Sequence, residues 1–144
     1  RIFRELAEES GLSLAEFGER AEVDGRIDRQ LDERILLQAK DQAPIMVEGR
    51  LTGWMAYRSG LAALKVWLAA TPEVRAERVV QRESKSAAQA LEELRAREGS
   101  EARRYEEFHQ IDISDLSIYD VLIETDKTDP NAVVALIISR LKSA

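Results

Sequence analysis

Three short apolar runs set between stretches of helical periodicity limit this chain to very few architectures. Pro44-Ile-Met-Val-Glu-Gly49, Leu64-Lys-Val-Trp-Leu-Ala69 and Val121-Leu-Ile-Glu-Thr125 are too short for helices and rich enough in branched residues for strands. The second is followed by Thr71-Pro72 and the third by Asp129-Pro130. In both, a capping side chain precedes a proline whose missing N–H costs nothing in the first helical turn. Strands that alternate with helices indicate an α/β domain built on a parallel sheet.

The helices follow from spacing. Ile2, Phe3, Leu6 and Ala7 open a helix that stops at Ser10-Gly11, and Ser13-Leu-Ala-Glu16 is a capping box that starts a second, to about Val23. Ile27, Leu31 and Ile35 repeat every fourth residue in a third helix, from Asp24-Gly25 to about Lys40, with its charges on the other faces. Helices are also expected from Pro72 to about Glu83, from Ser86 to about His109 with a weak point at Gly99-Ser100, and from Pro130 to about Leu141. With no repeat, linker or low-complexity tract, residues 1–144 read as a single domain. The long charged connection between the second and third strands reads as a mobile insertion over one sheet edge.

Composition removes several classes of function. Hydrophobic residues make up 44% and charged residues 33% of the 144, the balance of a soluble globular chain. No apolar run approaches the roughly 18 residues of a membrane span, so no membrane partner is expected. The absence of cysteine excludes disulfides and thiolate metal sites, and fits a cytoplasmic location. A lone histidine, His109, leaves no histidine cluster for zinc and has no nucleophile motif beside it. A net charge of −6 argues against a nucleic-acid partner.

Arginine is nevertheless abundant, sixteen against five lysines, and residues 73–104 are close to neutral in an otherwise acidic chain. Within that window Arg97, Glu101 and Arg104 stand at i, i+4 and i+7, one face of a helix. Two guanidiniums flanking a carboxylate suit a phosphate held between the arginines and a sugar hydroxyl on the acid. Taken alone, the segment also fits a solvated helix laced with Glu–Arg pairs. Arg78 and Arg82 share a face of the preceding helix, and Arg75 is placed on its solvent side. In open α/β sheets ligands gather at the carboxyl ends of the strands, where Glu48-Gly49-Arg50 stands. Acid-glycine-base triplets are common, and only this position singles it out. Arginines converging from several elements, Arg4 included, suit phosphoryl transfer, in which positioning and charge neutralisation do most of the work.

In order and spacing, Ile2-Phe-Arg-Glu-Leu-Ala7, Ile27-Asp-Arg-Gln-Leu-Asp-Glu-Arg34, Glu48-Gly-Arg-Leu-Thr-Gly-Trp-Met55, Arg75-Ala-Glu-Arg78 and Arg82-Glu83 resemble the archaeal-type cytidylate kinases, of the P-loop nucleoside monophosphate kinase superfamily. The likeness continues through Ser100-Glu-Ala-Arg-Arg-Tyr105 and Ile111-Asp-Ile-Ser-Asp-Leu-Ser-Ile-Tyr-Asp120, and so covers essentially the whole chain. The resemblance implies a P-loop NTPase-like parallel sheet with flanking helices, acceptor-binding helices over residues 1–43 and a helical lid over about 83–110. It implies transfer of the γ-phosphoryl of ATP to CMP or dCMP with Mg2+, by a monomer.

By the same resemblance Arg4, Glu48, Gly49 and Arg50 serve the acceptor, Arg4 and Arg50 gripping its phosphate and Glu48 lying near the water shell of magnesium. Glu101 matches an acidic position facing the acceptor ribose. Arg78 lies against the donor's adenine, Arg82 reaches both the donor and the transferring phosphate, and Arg97 and Arg104 are lid arginines; Arg82, Arg97 and Arg104 form the catalytic set. None of these residues is a direct metal ligand. The family begins with a strand and a glycine-rich phosphate loop, a part that occupies roughly its first 30 residues. No such motif occurs here, so a central N-terminal strand is expected to be missing and this segment alone to be inactive. The competing readings are a kinase of another nucleoside monophosphate or small metabolite, and a non-catalytic nucleotide-binding module.

Overall fold

The computed structural model describes residues 2–42, 44–83 and 86–143, without the side chains of residues 14, 15, 82 and 83. Contacts divide the chain into two compact units. The first comprises residues 1–61 and 103–113, the second residues 62–102 and 114–144.

The first unit is helical. Helices α1 (Ile2–Glu9), α2 (Leu14–Val23) and α3 (Gly25–Asp41) pack pairwise through Leu6, Ala7, Phe17, Ala21 and Ile27. Phe3 meets Phe17 edge-on at 4.9 Å, a favoured aromatic geometry. Gly11 ends α1 at φ +68°, where its N–H bonds to Glu8 O and that of Leu12 to Ala7 O. A side chain there would be strained, which is why glycine follows the helix. The capping box at Ser13 forms as the sequence indicates, and Asp24 caps α3 through the Arg26 N–H.

A short helix, α4 (Thr52–Arg58), was not anticipated from the sequence. Leu51 just before it and Trp54 and Met55 within it are buried, at i, i+3 and i+4, and that spacing was its signal. The expected strand over 44–49 does not form. That stretch has no regular structure, and Met46 is 90% exposed. Apolar composition supplies β-propensity, but a strand exists only when a neighbour takes its N–H and C=O groups. Among the described residues no strand pairs with it.

The second unit holds β1 (Val66–Ala69) and β2 (Val121–Glu124), paired directly and in parallel, with Val66 opposite Val121 and Ala69 opposite Glu124. Val121 and Ile123 point to one face and pack with Val133 of α7 (Pro130–Leu141) and with Leu64, Val66 and Ile137. Asp129 caps α7 and Pro130 stands at its start. Lys65 anchors the entry of β1 to Asp120, through its N–H at 2.7 Å and its Nζ at 2.9 Å. These hydrogen bonds, the backbone one first, lower the Asp120 pKa. Helix α5 (Pro72–Glu83) follows β1, and α6 (Ala87–His109) runs unbroken through Gly99-Ser100.

Candidate functional site

Helix α3 does not turn all of its charge to water. Asp28 and Asp32 stand four residues apart on it, and Asp28 is only 3% exposed. Burying a carboxylate costs several kcal/mol unless other groups compensate it. The last turns of α6 supply those groups. Arg104 Nη2 lies 3.5 Å from Asp28 Oδ1 and Arg104 Nε 3.5 Å from Oδ2, while His109 Nδ1 lies 3.4 Å from Asp32 Oδ2. Desolvation, with the Asp28 charge adding to it, raises the Asp32 pKa from 3.8 to about 7. Burial likewise lowers the pKa of His109, a direction that Arg58, Arg29 and Arg104 reinforce and Asp28 opposes.

The end of α6 is itself well fixed. Arg58 of α4 donates to the carbonyls of His109 and, at 2.9 Å, of Gln110, so a cation satisfies the last carbonyls of the helix. Ile111, 1% exposed, returns its N–H to Tyr105 O. At the other end of α3, a Cβ on Gly25 would lie 3.0 Å from the Phe108 ring, so glycine permits the close approach of α3 to α6.

Around these groups lies a cavity of about 90 Å³. Its polar lining is Asp28, Asp32, Arg50, Arg104, Tyr105 and His109, and Leu31, Ile35 and Leu51 add apolar wall. Gly49 also faces it, and a Cβ there would come within 2.9 Å of the Thr52 methyl, so a side chain at 49 would have to displace Thr52. Thr52 Oγ1 donates to Gly49 O at 2.7 Å, which fixes the turn that presents Arg50. A wider concavity of about 250 Å³ beside α2, around Arg20, Asp24 and Arg26, contains none of the residues singled out in the sequence.

Of those residues, the first unit therefore brings Gly49, Arg50 and Arg104 to one cavity. Arg4 is exposed on α1 and Glu48 is exposed beside Gly49; neither lines it. In the second unit Arg78 donates to Thr125 O at 2.7 Å and Thr125 Oγ1 at 3.2 Å, at the carboxyl end of β2. Thr125 in turn donates to Ala69 O, and Asp126 accepts from the Thr71 N–H, so both strand ends are tied together there. Arg97 and Glu101 pair with each other at 2.9 Å, whereas Arg104 takes Asp28 as its counter-ion. The Arg82 side chain lies outside the described residues.

One assignment is overturned. Arg75, expected on the solvent side of α5, donates through both Nη atoms to Glu98 of α6 and is only about a third exposed. The acid pair Asp28–Asp32 and its partner His109 were missed as a site. Their signal was two acids at helical spacing one position beyond the apolar repeat of Ile27 and Leu31.

The model of the cytidylate kinase-like family matches residues 1–127. The chain belongs to that family. It is 46% identical to a cytidylate kinase of Halobacterium salinarum, over 95% of this chain and 70% of the relative. A cytidylate kinase of Methanobrevibacter smithii is 47% identical over 98% of this chain and 80% of its own. One from Pyrococcus abyssi is 45% identical over 94% and 73%. No solved structure gives a significant match. The matched region includes every candidate site residue named above.

Proposed function

We propose that this family member is a phosphotransferase that moves the γ-phosphoryl of ATP to CMP or dCMP. An oxygen of the acceptor's phosphate bonds to the γ-phosphorus as the bond from that phosphorus to the bridging oxygen breaks, giving CDP or dCDP and ADP. The observation that carries the reading is the likeness to cytidylate kinases over nearly the whole chain. The arginines add chemical support, because such transfer is catalysed mainly by positioning and by neutralising developing charge.

In this proposal Arg50 and Arg4 hold the acceptor's phosphate and Glu101 its ribose. Arg78, fixed at the end of β2, lies against the donor's adenine, and Arg82 reaches the donor and the transferred group. Arg97 and Arg104 act from α6, within a lid over about 83–110, and exclude water as charge builds. Among the described residues no three acidic or histidine side chains converge as a metal site. Magnesium enters as MgATP, carried on the donor's phosphates with Glu48 near its water shell. The parallel β1–β2 pair belongs, in this reading, to a P-loop NTPase-like sheet. Such a sheet cradles the donor's phosphates in a glycine-rich loop, and that motif does not occur in the 144 residues.

The test is ADP formation by the full gene product from MgATP with CMP, dCMP, UMP and AMP in turn. CMP and dCMP are expected to be the best acceptors, and turnover with none of the four would overturn the proposal. Arg50→Ala removes a charge-assisted contact worth about 1.5–3 kcal/mol, so the CMP affinity of the variant should fall roughly tenfold or more. An unchanged affinity, measured by titration calorimetry, would remove Arg50 from the acceptor site.

A further inference from the structure

The cavity beside Arg50 holds more ionisable chemistry than phosphate binding requires. We propose that the Asp28–Asp32 pair reads the Watson–Crick edge of the acceptor's base, Asp28 accepting from an exocyclic amino group and Asp32 donating to the ring nitrogen beside it, which selects cytosine over uracil. The inference rests on the kinase reading and supplies what that reading lacks, a determinant of base choice.

Four observations support it. The two acids are i, i+4 on α3, so their Cβ atoms are about 5–6 Å apart on one helix face and both line the cavity. The cavity joins polar and apolar walls, with Leu31, Ile35, Leu51 and Tyr105 available to the faces of a flat ring. Arg50, the proposed phosphate contact, lines the same cavity, whose volume of about 90 Å³ is on the scale of the base rather than of a whole nucleotide. The contacts to Arg104 and His109 are also long for a pair that serves stability alone. Arg104 stays 3.5 Å from Asp28 and His109 3.4 Å from Asp32, against about 2.7–2.9 Å for charge-assisted hydrogen bonds.

The two acids differ in environment in the way the proposal needs. Asp28 faces the Arg104 guanidinium, a permanent cation, which suits an acceptor. Asp32 has a desolvated carboxyl beside the charge of Asp28 and an uncharged imidazole, and its pKa of about 7 leaves a proton to donate near neutrality. Cytosine presents an amino donor next to a ring-nitrogen acceptor, and uracil presents the reverse, a carbonyl next to N–H. With the phosphate fixed the ring cannot turn over to exchange them. Uracil would then set acceptor against acceptor and donor against donor, a mismatch among desolvated groups that discriminates strongly.

The experiment measures kcat/KM of the full gene product for CMP and UMP with MgATP, in wild type, Asp32→Ala and Asp32→Asn. Wild type should prefer CMP, the alanine variant should lose about tenfold or more of that preference, and the asparagine variant should restore most of it, because its amide N–H donates without charge. Losses equal for both bases, or an unchanged preference in both variants, would overturn the inference and leave the kinase reading standing. No turnover of either base by wild type would overturn the kinase reading itself. Should the alanine variant not fold, wild type is titrated with CMP and with the 5′-monophosphate of its 4-deamino analogue. A Kd raised about tenfold or more for the analogue supports base reading by Asp28, and equal affinities refute it.

Discussion

Helix α6 carries two arginine–carboxylate pairs in opposite electrostatic settings. In the second unit Arg97 meets Glu101 one turn away, the arginine side chain 69% exposed and the glutamate 15%. In the first unit Arg104, 15% exposed, meets Asp28, 4% exposed, across 76 residues of sequence. Water reaches the arginine of the first pair and scarcely touches either partner of the second, so the longer contact carries the greater consequence. The distance between charges is a poor guide to their weight; burial is the better one.

Removing one partner from each pair exposes the difference. Asp28→Ala leaves the Arg104 guanidinium desolvated without its counter-ion, and should cost about 3–5 kcal/mol in urea unfolding. Arg97→Ala should cost about 1 kcal/mol or less, since the arginine itself stands in water although Glu101 does not. Losses within 1 kcal/mol of each other would break the comparison.

Acidity sharpens it. Asp32 binds its proton more tightly folded than unfolded, so between about pH 4 and 7 the native state holds more protons. Its contribution to stability is therefore present at low pH and falls as pH rises, by up to about 1.4 kcal/mol per pH unit. His109 acts in the opposite sense, because its lowered pKa leaves the unfolded state with more protons just below pH 6.5, where stability gains with rising pH. Urea unfolding from pH 4 to 8 should show a falling limb that Asp32→Asn abolishes. A slope identical in wild type and variant would remove Asp32 as its source.

In the second unit, Arg75→Ala should cost about 1 kcal/mol or less, since its partner Glu98 is also partly exposed. Its clearer readout is amide exchange, which should quicken over residues 87–102 when α5 no longer holds α6. No change in that segment would deny Arg75 the anchoring role. The smallest effect is expected at Gln110, a non-glycine at φ 54°. Gln110→Gly relieves left-handed strain of roughly 1 kcal/mol and should raise the melting temperature by a few degrees; a lower one would mean that the Gln110 side chain contributes more than its strain costs.

Local chemistry in the sequence determined most of the secondary structure. Ser13-Leu-Ala-Glu16, Asp24, Pro72 and Asp129-Pro130 start their helices where the capping rules place them, because a cap satisfies N–H groups of its own first turn. The two branched runs 66–69 and 121–124 pair in parallel because each finds the other. The run 44–49 has similar apolar content and remains irregular among the described residues, since strand formation depends on a neighbour.

Family membership was legible in residue order alone. Which arginine meets which acid was not. Arg97 and Glu101 are neighbours through helical spacing, but Arg104–Asp28, Arg75–Glu98 and His109–Asp32 join different helices. Tertiary structure alone removed Asp28 and Asp32 from water, and a carboxylate's acidity is set by the water it loses and the charges it gains. Sequence fixes which groups are present; packing decides which of them hold a proton at neutral pH.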